Sequence, residues 1–203
     1  MLASINPLGE RARHMVWGRT VAWYVAGSVA GGAAVGALAG LVGVGVHAAV
    51  EPSPLAVGIF VVLSCVGALA LELGIARLRL PTTRRQVNED WLPRYRSWVY
   101  GLGFGFQLGL GVVTIVTTAA IYLAVVLAAA GAAASGTVAT GIAVGATFGL
   151  VRALPILRVA RVRDPGSLGD VLRRVAERRV LAARATQVAL AVSLLASLAV
   201  VVV

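Results

Sequence analysis

The chain has 203 residues, 59% of them hydrophobic and 13% charged, with a mean hydropathy of +0.91. Soluble domains average about 45–50% apolar and about 25% charged, so a water-soluble globule is excluded and one compact membrane bundle fits the length. The formal charge of +10 rests on 18 basic residues, all arginine, which flank apolar stretches; that placement argues against nucleic acid and for anionic lipid headgroups as the counter-charge.

In chain order, Arg11, Arg13 and Arg19 precede a first apolar run, Val21–Val46. It far exceeds the roughly 7–15 residues of a signal-peptide core, so it is expected to remain as a signal-anchor. A short connection, His47 to Pro54, carries only Glu51 and leads to a second run, Leu55–Ile75. The basic loop 76–97 holds Arg77, Arg79, Arg84, Arg85, Arg94 and Arg96. A third run, Trp98–Ala120 with a possible continuation to Leu127, is followed by the small, uncharged stretch Ala128–Gly136 and a fourth run, Thr137–Ile156. Pro155 is expected to distort the end of that fourth span.

The loop 157–184 is basic again. Asp164-Pro165-Gly166 reads as a turn, with Ser167 as an N-cap and Asp170 three residues on. Leu168, Val171, Leu172 and Val175 then fall opposite Arg173, Arg174 and Glu177, which predicts an amphipathic helix lying in the interface. The last run is Ala185–Val203.

A span needs about 20 apolar residues, and arginine alternates rich, poor, rich, poor, rich between these five. The fold class expected is therefore all-α: a single polytopic membrane bundle over residues 1–203, in the plasma (inner) membrane, with five helices, N-in and C-out. Trp17, Trp23, Trp91, Trp98, Tyr24, Tyr95 and Tyr100 sit beside the arginines and predict an aromatic belt at the cytoplasmic interface. The first and third spans are long and glycine-rich, so both are expected to be irregular through tilt, a break or a re-entrant turn.

Glycine recurs every fourth residue at Gly32, Gly36 and Gly40, at Gly101, Gly105 and Gly109, and at Gly141, Gly145 and Gly149. Each set lies on one helix face, where it either seals a helix–helix seam or lines a path. Intramembrane charge costs about 2.5–3.5 kcal/mol. Glu72 and Arg152, each about one turn inside the cytoplasmic end of its span, are therefore candidates for an ion pair, for independent snorkelling to the interface, or for a gate. Ser64, Cys65, Gln107, Thr114, Thr117 and Thr118 complete the mid-depth polar inventory. The two threonines 117 and 118 are expected to bond their own helix, whereas the Gln107 amide has more hydrogen-bonding sites than its own helix can satisfy.

No paired carboxylates, activated nucleophile, metal-ligand spacing or phosphate loop occurs, so neither enzymatic activity nor a cofactor is expected. His14 and His47 fall on opposite sides of the expected topology and cannot share a metal. The lone Cys65 permits no intrachain disulfide and no two-cysteine relay.

The stretch from Gly101 to Ala120, then Gly141 to Gly149 and Arg152-Ala-Leu-Pro155, resembles the second half of the cytochrome c biogenesis/disulfide-reductant (CcdA/DsbD-like) transmembrane family. Leu8-Gly9-Glu10-Arg11 and the region Gly27–Gly36 resemble that family's arginine-containing loop and second span. The chain departs from the pattern at Gln107–Val112, which lacks the family's cysteine and proline, so no catalytic residue is carried over. The resemblance implies a scaffold of broken helices and a transporter- or carrier-like protein for a small solute, without a thiol relay. Its path would run near Gln107, Cys65, Ser64, Thr114, Glu72 and Arg152. The alternative is a non-catalytic partner subunit that packs through its glycine faces against another membrane protein or a second copy.

Overall fold

The computed structural model describes residues 5–75, 95–111 and 118–202. Among these there is no strand. The helices are α1 (Pro7–Ala12), α2 (Trp17–Val50), α3 (Pro54–Glu72), α4 (Ser97–Gly109), α5 (Ala120–Ser135), α6 (Val138–Ala153), a 3-10 segment Leu154–Val159, α7 (Pro165–Glu177) and α8 (Arg179–Val202). Four of these segments are long and apolar enough to cross a membrane: Trp17–Val50, Pro54–Glu72, Val138–Val159 and Arg179–Ala199. Much of the basic loop, including Arg77, Arg79, Arg84, Arg85, Trp91 and Arg94, lies outside the described residues, as do Thr114 and Thr117.

The first span carries no break and no re-entrant turn. Despite its glycines, α2 runs unbroken for 34 residues, about 51 Å at 1.5 Å per residue. Partner helices lie along almost its whole length, and tertiary packing of this kind outweighs the weak helix propensity of glycine.

The third span is broken. Helix α4 ends at Gly109, Gly111 takes a left-handed φ of 70°, and α5 begins at Ala120. The stretch Ala128–Gly136 is no loop either: it is helical through Ser135, and the reversal is made at Gly136, whose φ is 65°. Alanine is the best helix former, so a run of small residues extends the helix until a residue free to adopt left-handed geometry ends it.

Helix directions follow from the register of contacts. Along α4, Gly101, Gly105 and Gly109 approach Thr20, Tyr24 and Ser28 of α2 in turn, so α4 runs parallel to α2. Helix α5 continues in the same sense, with Ala129 and Ala133 against Gly43 and the Ala133 carbonyl bonded to His47 Nδ1 at 2.7 Å. Helix α6 returns antiparallel: Gly149, Gly145 and Gly141 meet Ser28, Gly32 and Gly36. Helices α3 and α8 lie against each other beside α5, and their other faces are open.

Local sequence accounts for the ends. Asn6 caps α1 through Gly9 N–H at 2.9 Å, and Ser53 caps α3. The α6 helix tightens into the 3-10 segment at Pro155, as expected. The cap of α7 is Asp164 rather than Ser167: Asp164 accepts from Ser167 N–H at 2.8 Å, and the Ser167 hydroxyl reciprocates. Pro165 therefore opens the helix instead of sitting in a turn, as suits a residue with no N–H to satisfy.

Candidate functional site

The centre of the bundle is a backbone-to-backbone seam. A methyl group added to Gly32 would meet the Gly145 carbonyl, one on Gly36 the Gly141 carbonyl, one on Gly105 the Tyr24 carbonyl, and one on either Gly109 or Gly149 the Ser28 carbonyl. Gly40 is looser, with Val138 at 3.2–3.4 Å. Gly27, Gly31 and Gly43, which do not fall in the four-residue stripes, make contacts as tight, against Leu102, Phe106 and Ala129. Helix α2 has three partners, so its glycines occupy several faces, and a search for one stripe per helix overlooks half of them. The void between α2, α5 and α6 is about 10 Å³, lined by residues including Gly32, Gly36, Ile121 and Gly145, room for about one water at most.

Two buried or half-buried carboxylates sit on either side of this seam. Glu10 on α1 is fully buried. It accepts hydrogen bonds from Tyr100 Oη (2.6 and 2.7 Å to its two oxygens), from Thr20 Oγ1 (2.5 Å) and from Arg13, its ion-pair partner (2.5 Å). The Arg13 guanidinium also lies 5.7 Å from the Tyr100 ring centroid. Three helices, α1, α2 and α4, are thus tied to one carboxylate. Nothing in periodicity singles out Glu10; the available signal is that it is the sole acid among the N-terminal arginines, in a short segment opened by Asn6-Pro7.

Tyr24 and Tyr100 do not belong to the expected aromatic belt. They are 4% and 0% exposed and pack in the core with Phe104, Ile156 and Val159. Trp23 and Trp98, with ring centroids 6.2 Å apart, and Tyr95 do face outward.

Glu72, at the end of α3, accepts from Thr118 Oγ1 and from Ala119 N–H, both at 2.9 Å. It caps α5 from a different helix and supplies the acceptor that the broken backbone needs. Thr118 therefore donates to Glu72 rather than to a carbonyl of its own helix, while its oxygen accepts from Ala120 N–H of α5 at 3.2 Å. Of the alternatives for Glu72 and Arg152, the ion pair is not made: the Arg152 guanidinium lies 5.7 Å from the Phe148 ring centroid and reaches toward Gly111. The break in the third span puts a helix N-terminus next to Glu72, and that nearer partner takes the carboxylate.

Cys65 is fully buried with Ala68, Ala119, Leu123 and Leu190, where it packs as a small apolar group. Ser64 donates to the Phe60 carbonyl of its own helix at 2.7 Å. Gln107 is half-exposed on α4. The structure brings Cys65 and Glu72 near the start of α5; Gln107 stands on α4, and Arg152 of α6 reaches Gly111, which also adjoins Ile121 of α5. Among the described residues no group of three His, Cys, Asp or Glu side chains could hold a metal.

These features define an all-helical protein with the apolar lengths of a membrane bundle, sealed by glycine and pinned by two carboxylates. Comparison with known proteins gives a more particular relation. The chain is similar to the methylamine utilization protein MauF of Paracoccus versutus, with 31% identity over 156 residues, which is 76% of this chain and 55% of that protein. It is also similar to the MauF proteins of Methylophilus methylotrophus (35% over 85 residues, 42% of this chain and 28% of the relative) and Paracoccus denitrificans (33% over 87 residues, 43% and 30%). The chain spans about half the length of the first of these three and less than a third of the other two. No protein-family model and no solved structure matches it.

The resemblance to CcdA/DsbD-like carriers is corrected by this finding, and the solute-carrier function inferred from it is withdrawn: the similar proteins are MauF proteins. The physical reason for the misreading is that glycine at four-residue spacing reports close approach of helix backbones, which any tightly sealed bundle requires whatever it does.

Proposed function

We propose that this chain is a multi-pass protein of the plasma membrane that serves methylamine utilization, the process for which its MauF relatives are named. The observation that carries the proposal is the similarity to the Paracoccus versutus protein over 156 residues, a stretch too long to be confined to one glycine seam. In this reading the third crossing is made by α4 and α5 together, and the chain crosses five times with its N-terminus inside. The parallel run of α4 and α5 along α2, the antiparallel return of α6 and the alternation of arginine support that path. The protein supplies no catalytic group of its own, and its immediate partners are anionic lipid headgroups rather than nucleic acid.

The test is deletion of the gene in its own host, followed by growth with methylamine or ammonium as the sole nitrogen source. Growth lost on methylamine alone, and restored by the full chain expressed in trans, supports the proposal. Unimpaired growth on methylamine overturns it. Fractionation of the expressed chain tests the membrane assignment independently.

A further inference from the structure

The end of the bundle that carries α1 and the start of α4 also carries α7. The chain leaves α6 through the 3-10 segment with Arg158 exposed, and α7 then docks through Leu168 and Val171 on the apolar cluster that includes Ile156, Val159 and Val162. Val171, Arg174, Val175 and the C-capping Arg178 follow at three- and four-residue spacing, so Arg174 flanks the apolar stripe rather than opposing it as expected. With Arg158 they line an open recess of about 300 Å³ with Val171 and Val175 as its apolar part and three guanidiniums around it.

Two of the acids nearby are engaged elsewhere. Asp170 is ion-paired with Arg173 at 2.7 Å, and Asp164 caps the helix. Glu177 is three residues from Arg174 and four from Arg173, and is ion-paired with neither. Among the described residues no carboxylate pairs with Arg158, Arg174 or Arg178. Three like charges gathered around one recess repel each other unless an external anion sits between them. Guanidinium favours a phosphate oxyanion through paired N–H donors.

We propose that this recess binds the phosphodiester headgroup of an anionic phospholipid. Its glycerol lies over Val171 and Val175, and its acyl chains run beside the flanking α6 and α8. Three guanidiniums favour a lipid with two phosphates over one with a single phosphate. A free phosphate would meet the same cations but gain nothing from the two valines or the neighbouring spans. The inference rests on the membrane assignment above.

The test uses the full chain in nanodiscs of phosphatidylcholine doped with phosphatidylglycerol or diphosphatidylglycerol, with retained lipid counted by native mass spectrometry. Two charge-matched variants are compared: Arg158→Gln/Arg174→Gln/Arg178→Gln in the recess, and Arg161→Gln/Arg163→Gln/Arg179→Gln outside it. All six arginines are exposed, so both variants are expected to fold. The wild type and the outer variant should retain anionic lipid in preference to phosphatidylcholine, diphosphatidylglycerol most strongly, and the recess variant should lose at least tenfold of that preference. Single Arg158→Gln and Arg174→Gln changes, each expected to lose severalfold, keep the test decisive if the triple variant fails to fold. Equal retention by the recess and outer variants overturns the proposal. So does wild-type indifference between anionic and zwitterionic lipid, or complete displacement by millimolar inorganic phosphate. Failure of the membrane assignment would show separately, as chain recovered in the soluble fraction.

Discussion

Ser28 donates its hydroxyl to the carbonyl of Gly149 at 2.7 Å, and the Ser28 carbonyl in turn faces the Cα positions of both Gly149 and Gly109. This is where α2, α4 and α6 meet, and no side chain larger than serine separates them. The bond joins residues 121 positions apart in sequence, so it measures whether the seam has closed.

Substitutions at the seam should therefore separate by what surrounds each glycine and not by helix position. Gly149→Ala, Gly105→Ala and Gly36→Ala press a methyl group onto a backbone carbonyl and should each cost at least the 1–3 kcal/mol typical of overpacking. Gly45→Ala and Gly67→Ala meet nothing within 4 Å and should be neutral or slightly stabilising. Thermal unfolding in detergent distinguishes the two groups; equal effects would mean that the seam is not closed.

Glu10 should behave as a structural anchor. Tyr100→Phe removes a hydroxyl bonded to both carboxylate oxygens, and Thr20→Val removes one further donor. Each should lower stability by about 1–3 kcal/mol, the cost of leaving a buried polar group under-satisfied. A double-mutant cycle of Glu10→Gln with Tyr100→Phe should show coupling, because the two changes act on the same bonds. The same variants should increase proteolysis within α1, which the carboxylate ties to α2 and α4.

Glu72 and Arg152 should be independent. Glu72→Leu removes both acceptor contacts at the start of α5 and should cost about 1–3 kcal/mol, whereas Glu72→Gln keeps a carbonyl acceptor and should cost less. Combined with Arg152→Gln, the effects should add to within about 0.5 kcal/mol, as for sites with no shared partner. Recovery in the double mutant would restore the ion pair.

Sidedness can be read by thiol labelling in a Cys65→Ala background. His14→Cys and Gly166→Cys should react only once the inner face is opened, and Glu51→Cys and Ser135→Cys from the intact outer face. Labelling of Gly166→Cys from outside would reverse the proposed orientation.

The apolar runs, the arginine alternation and the amphipathic α7 were legible in the sequence because each is a property of a short stretch of chain against its solvent. Four of the five expected spans correspond to helices of membrane-crossing length for that reason. An irregular third span was expected from its length and glycines, but the place of its break between Gly109 and Ala120, the continuity of α2 and the helical course of Ala128–Ser135 were not legible. They depend on whether a neighbour supports the backbone: Glu72 serves the start of α5, and three partner helices line the glycines of α2. The burial of Glu10 and Tyr100 and the Ser28 junction likewise belong to the tertiary structure alone. A hydrogen-bonding group in sequence shows only what it can accept or donate, and its partner is decided by which helices come into contact.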